Sequence, residues 1–226
     1  MITTALQFSG GKDSLACLHL WRDKLEETVV IWCNSGAAYP NTIEQMERVK
    51  SWVPHFLEIS GDQPGVIERY GYPSDVVPVL SSPAAALING GKGPRIQSWI
   101  DCCARSLWAP MYNAIKQLGV TRVVRGQRSD EALTGKIRHG DVVDGIEYVL
   151  PIQDWTEAEV FAYLREVGAE IPAYYETGER TSRDCWSCTA FRFESRERTN
   201  NLKGEQREIV FARLEQIRVA IAEAGY

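Results

Sequence analysis

Short apolar runs alternate with longer amphipathic ones along most of the chain. Thr4 to Phe8 is an apolar run that stops at a glycine-rich turn, and Leu15, Leu18, Trp21 and Leu25 then recur at helical spacing. The pattern predicts strand, loop, helix. Thr28 to Trp32 is a β-branched run of the kind buried on both faces in parallel sheets, followed by a helical segment at 42–52 and a third strand from Phe56 to Ile59. Order returns with a helix from Asp101 to Leu118 and strands at Arg122 to Val124 and Ile146 to Leu150. Thr156 with Glu159 forms a capping box that opens a helix to about Val167, and Glu205 to Ala222 is helical by composition. This alternation predicts an α/β fold: a doubly wound, mainly parallel, Rossmann-like sheet with a C-terminal helical extension. Gly61 to Gly93, rich in Pro, Gly and Ser, reads as a long irregular connection, and such loops are often functional.

The composition places few limits on this picture. At 226 residues with 44% apolar residues, the chain can bury one substantial core. Its net charge of −5 argues against a general binder of polyanions, so any basic site must be local. No apolar run has the length a bilayer needs, and no basic-then-apolar segment opens the chain. The expectation is a cytoplasmic protein without a membrane partner. Six cysteines in such a chain read as reduced thiols, metal ligands or catalytic groups rather than disulfides.

The turn after the first strand is Ser9-Gly10-Gly11-Lys12-Asp13-Ser14. Placed between strand and helix, its backbone N–H groups and the positive end of the helix dipole converge on an anion. Two glycines let the backbone approach oxygens closely, Lys12 adds a compact cation, and Ser9 and Ser14 add hydroxyls. Asp13 would repel an anion if it pointed inward, so it either orients the loop or helps to hold Mg2+. Arg125-Gly126-Gln127-Arg128-Ser129-Asp130-Glu131 follows another predicted strand, which brings Arg128 to the same sheet edge with a guanidinium suited to phosphate or sulfate.

Cys102 and Cys103 are adjacent, and Cys185 and Cys188 form a Cys-x-x-Cys pair about eighty residues later. Four thiolates suit a [4Fe–4S] cluster or a structural zinc, and spacing alone does not separate them. Cys17, on the first helix, reads as a small buried hydrophobe. Cys33 ends the second strand, where such folds meet their ligands, and divides evenly between packing and function. His19, His55 and His139 make no ligand pattern.

The glycine loop is not a Walker A loop. It resembles the pyrophosphatase loop of the superfamily that includes ATP pyrophosphatases, tRNA thiolases and the reductases of 3′-phosphoadenosine 5′-phosphosulfate (PAPS) and adenosine 5′-phosphosulfate (APS). The arginine segment resembles the Gly-x-Arg-x-acidic stretch of those reductases, departing where Gly135 and Lys136, then Arg138, stand in place of a further arginine. The cysteine pattern is that of APS reductases, in company with Pro110, the run Pro151 to Thr156, and Thr189; Arg183-Asp184 replaces the usual Ile-Gly. The resemblance covers residues 5 to 190.

What it implies is chemistry at the α-phosphate region of an adenine nucleotide, ATP or APS/PAPS, bound by Ser9, Gly10, Gly11, Lys12, Asp13, Ser14 and Arg128. Lys136 and Arg138 are further candidate contacts. Lys12, Arg128 and Cys33 are the catalytic candidates, Mg2+ is a candidate ion, and a [4Fe–4S] cluster would sit on Cys102, Cys103, Cys185 and Cys188 near the nucleotide. The chain reads as one domain, a nucleotide-binding core at 1–150 followed by helices at 151–226 that carry the second cysteine pair. The family's attacking cysteine, in a Glu-Cys-Gly type motif, has no counterpart in Arg218 to Tyr226. Without it the usual thiosulfonate cannot form. The segment from Arg180 to Arg207 carries seven Lys and Arg against four Asp and Glu, a solvated face or a guide for an anionic second substrate. The favoured reading is therefore ATP-dependent sulfur transfer to an adenylated acceptor, with a nucleic acid or nucleotide among the candidate acceptors and a protein as sulfur or electron donor. Sulfonucleotide reduction to sulfite is the first alternative. A noncatalytic nucleotide-binding iron–sulfur subunit is the second.

Overall fold

β-Branched residues form the centre of the main sheet. The computed structural model describes residues 2–77, 95–131, 136–179, 183–190 and 196–224. The run after the N-terminus forms β1 (Thr4–Gln7), and the longer apolar run forms β2 (Thr28–Asn34), buried throughout except at its last residue. With β3 (Phe56–Ser60), β6 (Arg122–Val124), β7 (Val142–Val143) and β8 (Ile146–Val149) they make a six-stranded sheet of order β3-β2-β1-β6-β8-β7. β1 pairs in parallel with β2, from Thr4 opposite Thr28 to Gln7 opposite Ile31, and with β6 on its other side. β6 and β8 are parallel, whereas β7 and β8 form an antiparallel hairpin. Its turn is Asp144-Gly145, both at positive φ (52° and 77°), the conformation an Asp-Gly hairpin favours. The expected α/β, mainly parallel sheet is present.

Helices α1 (Lys12–Leu20), α2 (Pro40–Lys50), α5 (Ala109–Leu118) and α6 (Glu157–Glu166) accompany this sheet. α6 starts at the expected capping box: Thr156 Oγ1 accepts from the Glu159 N–H and Glu159 accepts from the Thr156 N–H. Ala5, Val29, Ile31, Ile115, Val123 and Ile146 form the core of the sheet.

The chain divides into two compact units of interleaved segments. One comprises Met1–Cys33, Pro40–Ile59 and Met111–Tyr175; the other comprises Asn34–Tyr39, Ser60–Pro110 and Glu176–Tyr226. The second has its own small parallel sheet, β4 (Tyr72–Ser74) with β5 (Ile96–Ser98). It also holds α3 (Gln63–Tyr70), α4 (Trp99–Cys103), α7 (Arg196–Asn200) and α8 (Gly204–Glu223). Its apolar clusters centre on Val77, Ile96, Ile217 and Ala220, and on Tyr39, Leu202 and Val210. Among the described residues no helix is long and apolar enough to cross a membrane.

Two expectations need correction. The stretch from 61 is not irregular throughout: Asp62 accepts from the Gly65 N–H and caps α3, and β4 follows. Asp, Pro and Gly in the first turn serve as helix-starting residues there, although they also read as a turn. The remainder of that stretch, 78–93, lies outside the described residues. The single helix expected at 101–118 is instead α4, a π turn over Ala104–Trp108, and α5. Pro110 lacks an N–H and its ring crowds the carbonyl four residues earlier, a conflict that a widened turn relieves.

Candidate functional site

The glycine loop joins β1 to α1. Gly10 has φ of 79°, a backbone conformation that favours glycine, and a Cβ there would lie 2.9 Å from Gln45 Oε1 and 3.0 Å from Met46 Cε, the ends of two flexible side chains that would have to shift. Internal bonds shape the turn. Ser14 Oγ donates to the Gly11 carbonyl at 2.9 Å and accepts from the Ser9 N–H at 3.2 Å, and the Gly11 N–H reaches Ser9 Oγ at 3.3 Å. The Lys12 N–H, at the start of α1, donates to the Tyr175 hydroxyl at 2.9 Å.

The second loop, after β6, meets the first backbone to backbone. A Cβ on Gly126 would fall 2.6 Å from the Asp13 carbonyl carbon and 2.8 Å from Ser14 N, so only glycine permits this approach. Arg128 Nε donates to Asp13 Oδ1 at 2.7 Å, and the guanidinium also pairs with Asp130. Lys12 Nζ lies 3.0 Å from Asp13 Oδ2 and 3.3 Å from Glu157 Oε1. Asp13 thus accepts from both cations, which favours an orienting role for it.

Lys12 and Arg128 are only 3% and 5% exposed. Burial alone would lower the pKa of each; for Lys12 the charges of Asp13, Tyr175 and Glu157, and for Arg128 those of Asp13, Asp130 and Glu131, outweigh it and hold both cations raised. Burial pushes the Glu131 carboxyl up. The two loops follow adjacent strands, β1 and β6, from which the chain winds outward in opposite directions. That is the switch point at which open α/β sheets bind ligands.

The four paired cysteines all belong to the second unit. Cys103 and Cys102 end α4, and Cys185 to Cys188 form a tight turn in which the Cys188 N–H donates to the Cys185 carbonyl at 3.3 Å. The segment is anchored by Ser187 Oγ to Gln63 Oε1 at 2.7 Å and Thr189 Oγ1 to the Pro73 carbonyl at 2.6 Å. Burial, followed by the charge of Cys188, pushes Cys102 up to about 12. Cys103 is raised by burial and then by Cys188, Cys102 and Cys185; Cys185 is raised by burial and then chiefly by Cys188. The four thiols therefore share one electrostatic neighbourhood. Among the described residues no group of three or more His, Cys, Asp or Glu is drawn tightly enough to hold a metal ion. The donor set fits a thiolate-bound cluster in its chemistry.

The family model for the phosphoadenosine phosphosulfate reductase domain matches residues 3–191. The chain belongs to this family. A relative named adenosine 5′-phosphosulfate reductase, from Burkholderia cepacia, is 24% identical over 159 residues, 69% of this chain. The matched stretch spans only 57% of that reductase. A PAPS reductase from Candida auris, solved as a phosphate complex, shares 17% identity with a TM-score of 0.56 over 80% of this chain and 81% of its own. An NMN synthetase from Francisella tularensis has a TM-score of 0.51 at 14% identity, covering 98% of this chain and 84% of its own. Both structures share the fold.

In this PAPS reductase-family chain the remaining candidates are dispersed. Lys136 and Arg138 are exposed, and no contact among the described residues ties either side chain to the glycine loop. Cys33 is buried at the end of β2, and Cys17 is fully buried with its thiol pushed up by burial. Gly135 and the basic residues at 180 and 192 lie outside the described residues.

The sequence reading missed four residues. Glu157 and Tyr175 attach to Lys12 from far along the chain. Glu157 is an ordinary first-turn acid, and Tyr175 sits in the short 3-10 turn Ala173–Thr177, so neither carries a local signal. Arg198 is buried beside the Cys-x-x-Cys pair, where Cys188, Tyr39, Cys185 and Asp184 outweigh the effect of burial and keep its pKa raised. The buried Tyr39 hydroxyl has no hydrogen-bond partner among the described residues.

Proposed function

We propose that this protein binds an adenine nucleotide at its α-phosphate region through residues 9–14 and Arg128, and that the nucleotide is a sulfonucleotide of the class named for its relatives. The observation that carries this reading is the meeting of the two loops at the β1/β6 switch point, where Gly126 brings Arg128 against the loop that holds Lys12. Helix-terminal N–H groups, an ammonium and a guanidinium then converge on one anionic group. Mg2+ would lower the repulsion between that group and Asp13.

Cys102, Cys103, Cys185 and Cys188 would hold a [4Fe–4S] cluster. Such a cluster supplies redox or Lewis-acid chemistry when bound. Arg198, buried beside Cys188, would offset negative charge on the thiolates. A second reading, ATP-dependent sulfur transfer through an adenylated acceptor, is supported by one observation. The two thiols outside the tetrad, Cys17 and Cys33, are both buried, which leaves neither well placed to attack a sulfonate.

Calorimetry with AMP, ATP and APS tests the binding. We expect Lys12→Ala to weaken it by about 1.5 to 3 kcal/mol, the cost of one charge-assisted contact; unchanged affinity would remove the loop from the site. Anaerobically prepared protein should be brown, with iron and sulfide lost on replacing any of the four cysteines by serine. A colourless, zinc-loaded preparation would contradict the cluster. Sulfite released from APS or PAPS with thioredoxin and a reductant supports the first reading. AMP and pyrophosphate released from ATP with an acceptor support the second.

A further inference from the structure

Lys12 carries two of the donors of the glycine loop, and both already have acceptors. Its N–H opens α1 and so has no partner within the helix. The Tyr175 hydroxyl accepts it at 2.9 Å. Its ammonium lies 3.0 Å from Asp13, 3.3 Å from Glu157 and 5.3 Å from the centre of the Tyr175 ring. Edge-on packing against Phe161, with centroids 5.5 Å apart, and the Tyr174 ring at 4.5 Å hold the Tyr175 ring in place. A phenol oxygen and a carboxylate thus hold the N–H and the ammonium that a phosphate or sulfate would otherwise take.

We propose that Tyr175 and Glu157 are positioning residues that hold Lys12 as stand-ins for the nucleotide and release it when the nucleotide binds. The inference rests on the adenine-nucleotide reading above. The exchange runs toward the ligand because a phosphate or sulfate oxygen is a charged acceptor for the Lys12 N–H, whereas burial keeps the Tyr175 phenol neutral. It also lowers the apparent affinity, since each bond to the stand-in must break before its replacement forms. Tyr175 makes two contacts with Lys12, one through its hydroxyl and one through its ring face, and only the hydroxyl competes for the N–H.

Tyr175→Phe separates these contacts, because it keeps the ring and removes the competing oxygen. Calorimetry on the full chain with AMP, and separately with inorganic phosphate, should show binding about three- to tenfold tighter than in the unaltered protein, the effect of one net hydrogen bond. The ligand-free variant should melt at a lower temperature and gain more on adding AMP. Glu157→Gln, on a partly exposed side chain that leaves the core untouched, should tighten AMP binding about twofold. Unchanged affinity in both variants would make the contacts structural only. Weaker binding in Tyr175→Phe would make the hydroxyl a ligand of the nucleotide; either result overturns the proposal. If the unaltered chain binds AMP and Lys12→Ala does not, a failure of Tyr175→Phe to tighten binding defeats this inference alone. If no variant nor the unaltered chain binds any adenine nucleotide, the functional reading fails with it.

Discussion

Asp13 accepts from the Lys12 ammonium at 3.0 Å and from the Arg128 guanidinium at 2.7 Å, with its own side chain 14% exposed. A carboxylate in that position offsets the cost of burying two cations, each of which would be expensive alone. Glu157 and Asp130 add compensation from outside the loop. Asp13→Asn should therefore destabilise the protein by about 3 kcal/mol at pH 7, the low end for removing one member of a buried ionic group. Urea unfolding monitored by tryptophan fluorescence measures this. A loss below about 0.5 kcal/mol would mean that water, rather than Asp13, compensates the cations. The loop itself was legible from sequence because its residues are neighbours in the chain: Ser9, Gly10 and Ser14 shape one turn. Tyr175 was not, since its contact with the Lys12 N–H depends on how the chain returns after α6.

Among the elements, α6 shows how a local signal sets a distant one in place. Thr156 Oγ1 and Glu159 satisfy each other's backbone N–H groups at the helix start, and the next residue, Glu157, reaches Lys12. Thr156→Ala should cost about 1 kcal/mol of stability, as loss of an N-cap usually does. It should also weaken the link between Glu157 and Lys12, so AMP binding should not fall along with stability. Thermal melts read alongside calorimetry would check this, and a parallel loss of both would place α6 outside the site's control. Strands β1, β2, β6 and β8 and the capped helix could be read from the sequence because hydrophobic runs and capping residues act locally. α3 could not, because its capping Asp62 and first-turn Pro64 and Gly65 are also the residues of a turn. Nor could the short pair β4 and β5, where Pro73 and Gln97 break any strand pattern and pairing alone defines the strands.

For the whole molecule, two interleaved units follow from long-range contacts that no stretch of sequence announces, and the six-stranded sheet follows from patterns that several stretches announce independently. Stability as a function of pH also belongs to this scale, because it sums over groups in different elements. His19, on α1, packs against Trp52 with ring centres 6.0 Å apart; burial, reinforced by Arg22, lowers its pKa below the usual value. Arg48 and Glu170 line the same groove and are paired with each other at 3.3 Å, so neither supplies a strong counter-charge to a protonated ring. A lowered folded-state pKa means that the folded protein prefers neutral His19. Stability from this group is present above the unfolded value, about 6.5, and is lost as pH falls through it toward the folded value. Glu131 works in the other direction at lower pH, because burial raises its carboxyl and protonation there favours the folded state. Melting temperatures should therefore be compared from pH 8 down to about 5.5, above most of the carboxyl range. The melting temperature should fall across that interval, and His19→Gln, which keeps a polar side chain without a titrating ring, should reduce the slope. An equal slope in the variant would assign the loss to other groups.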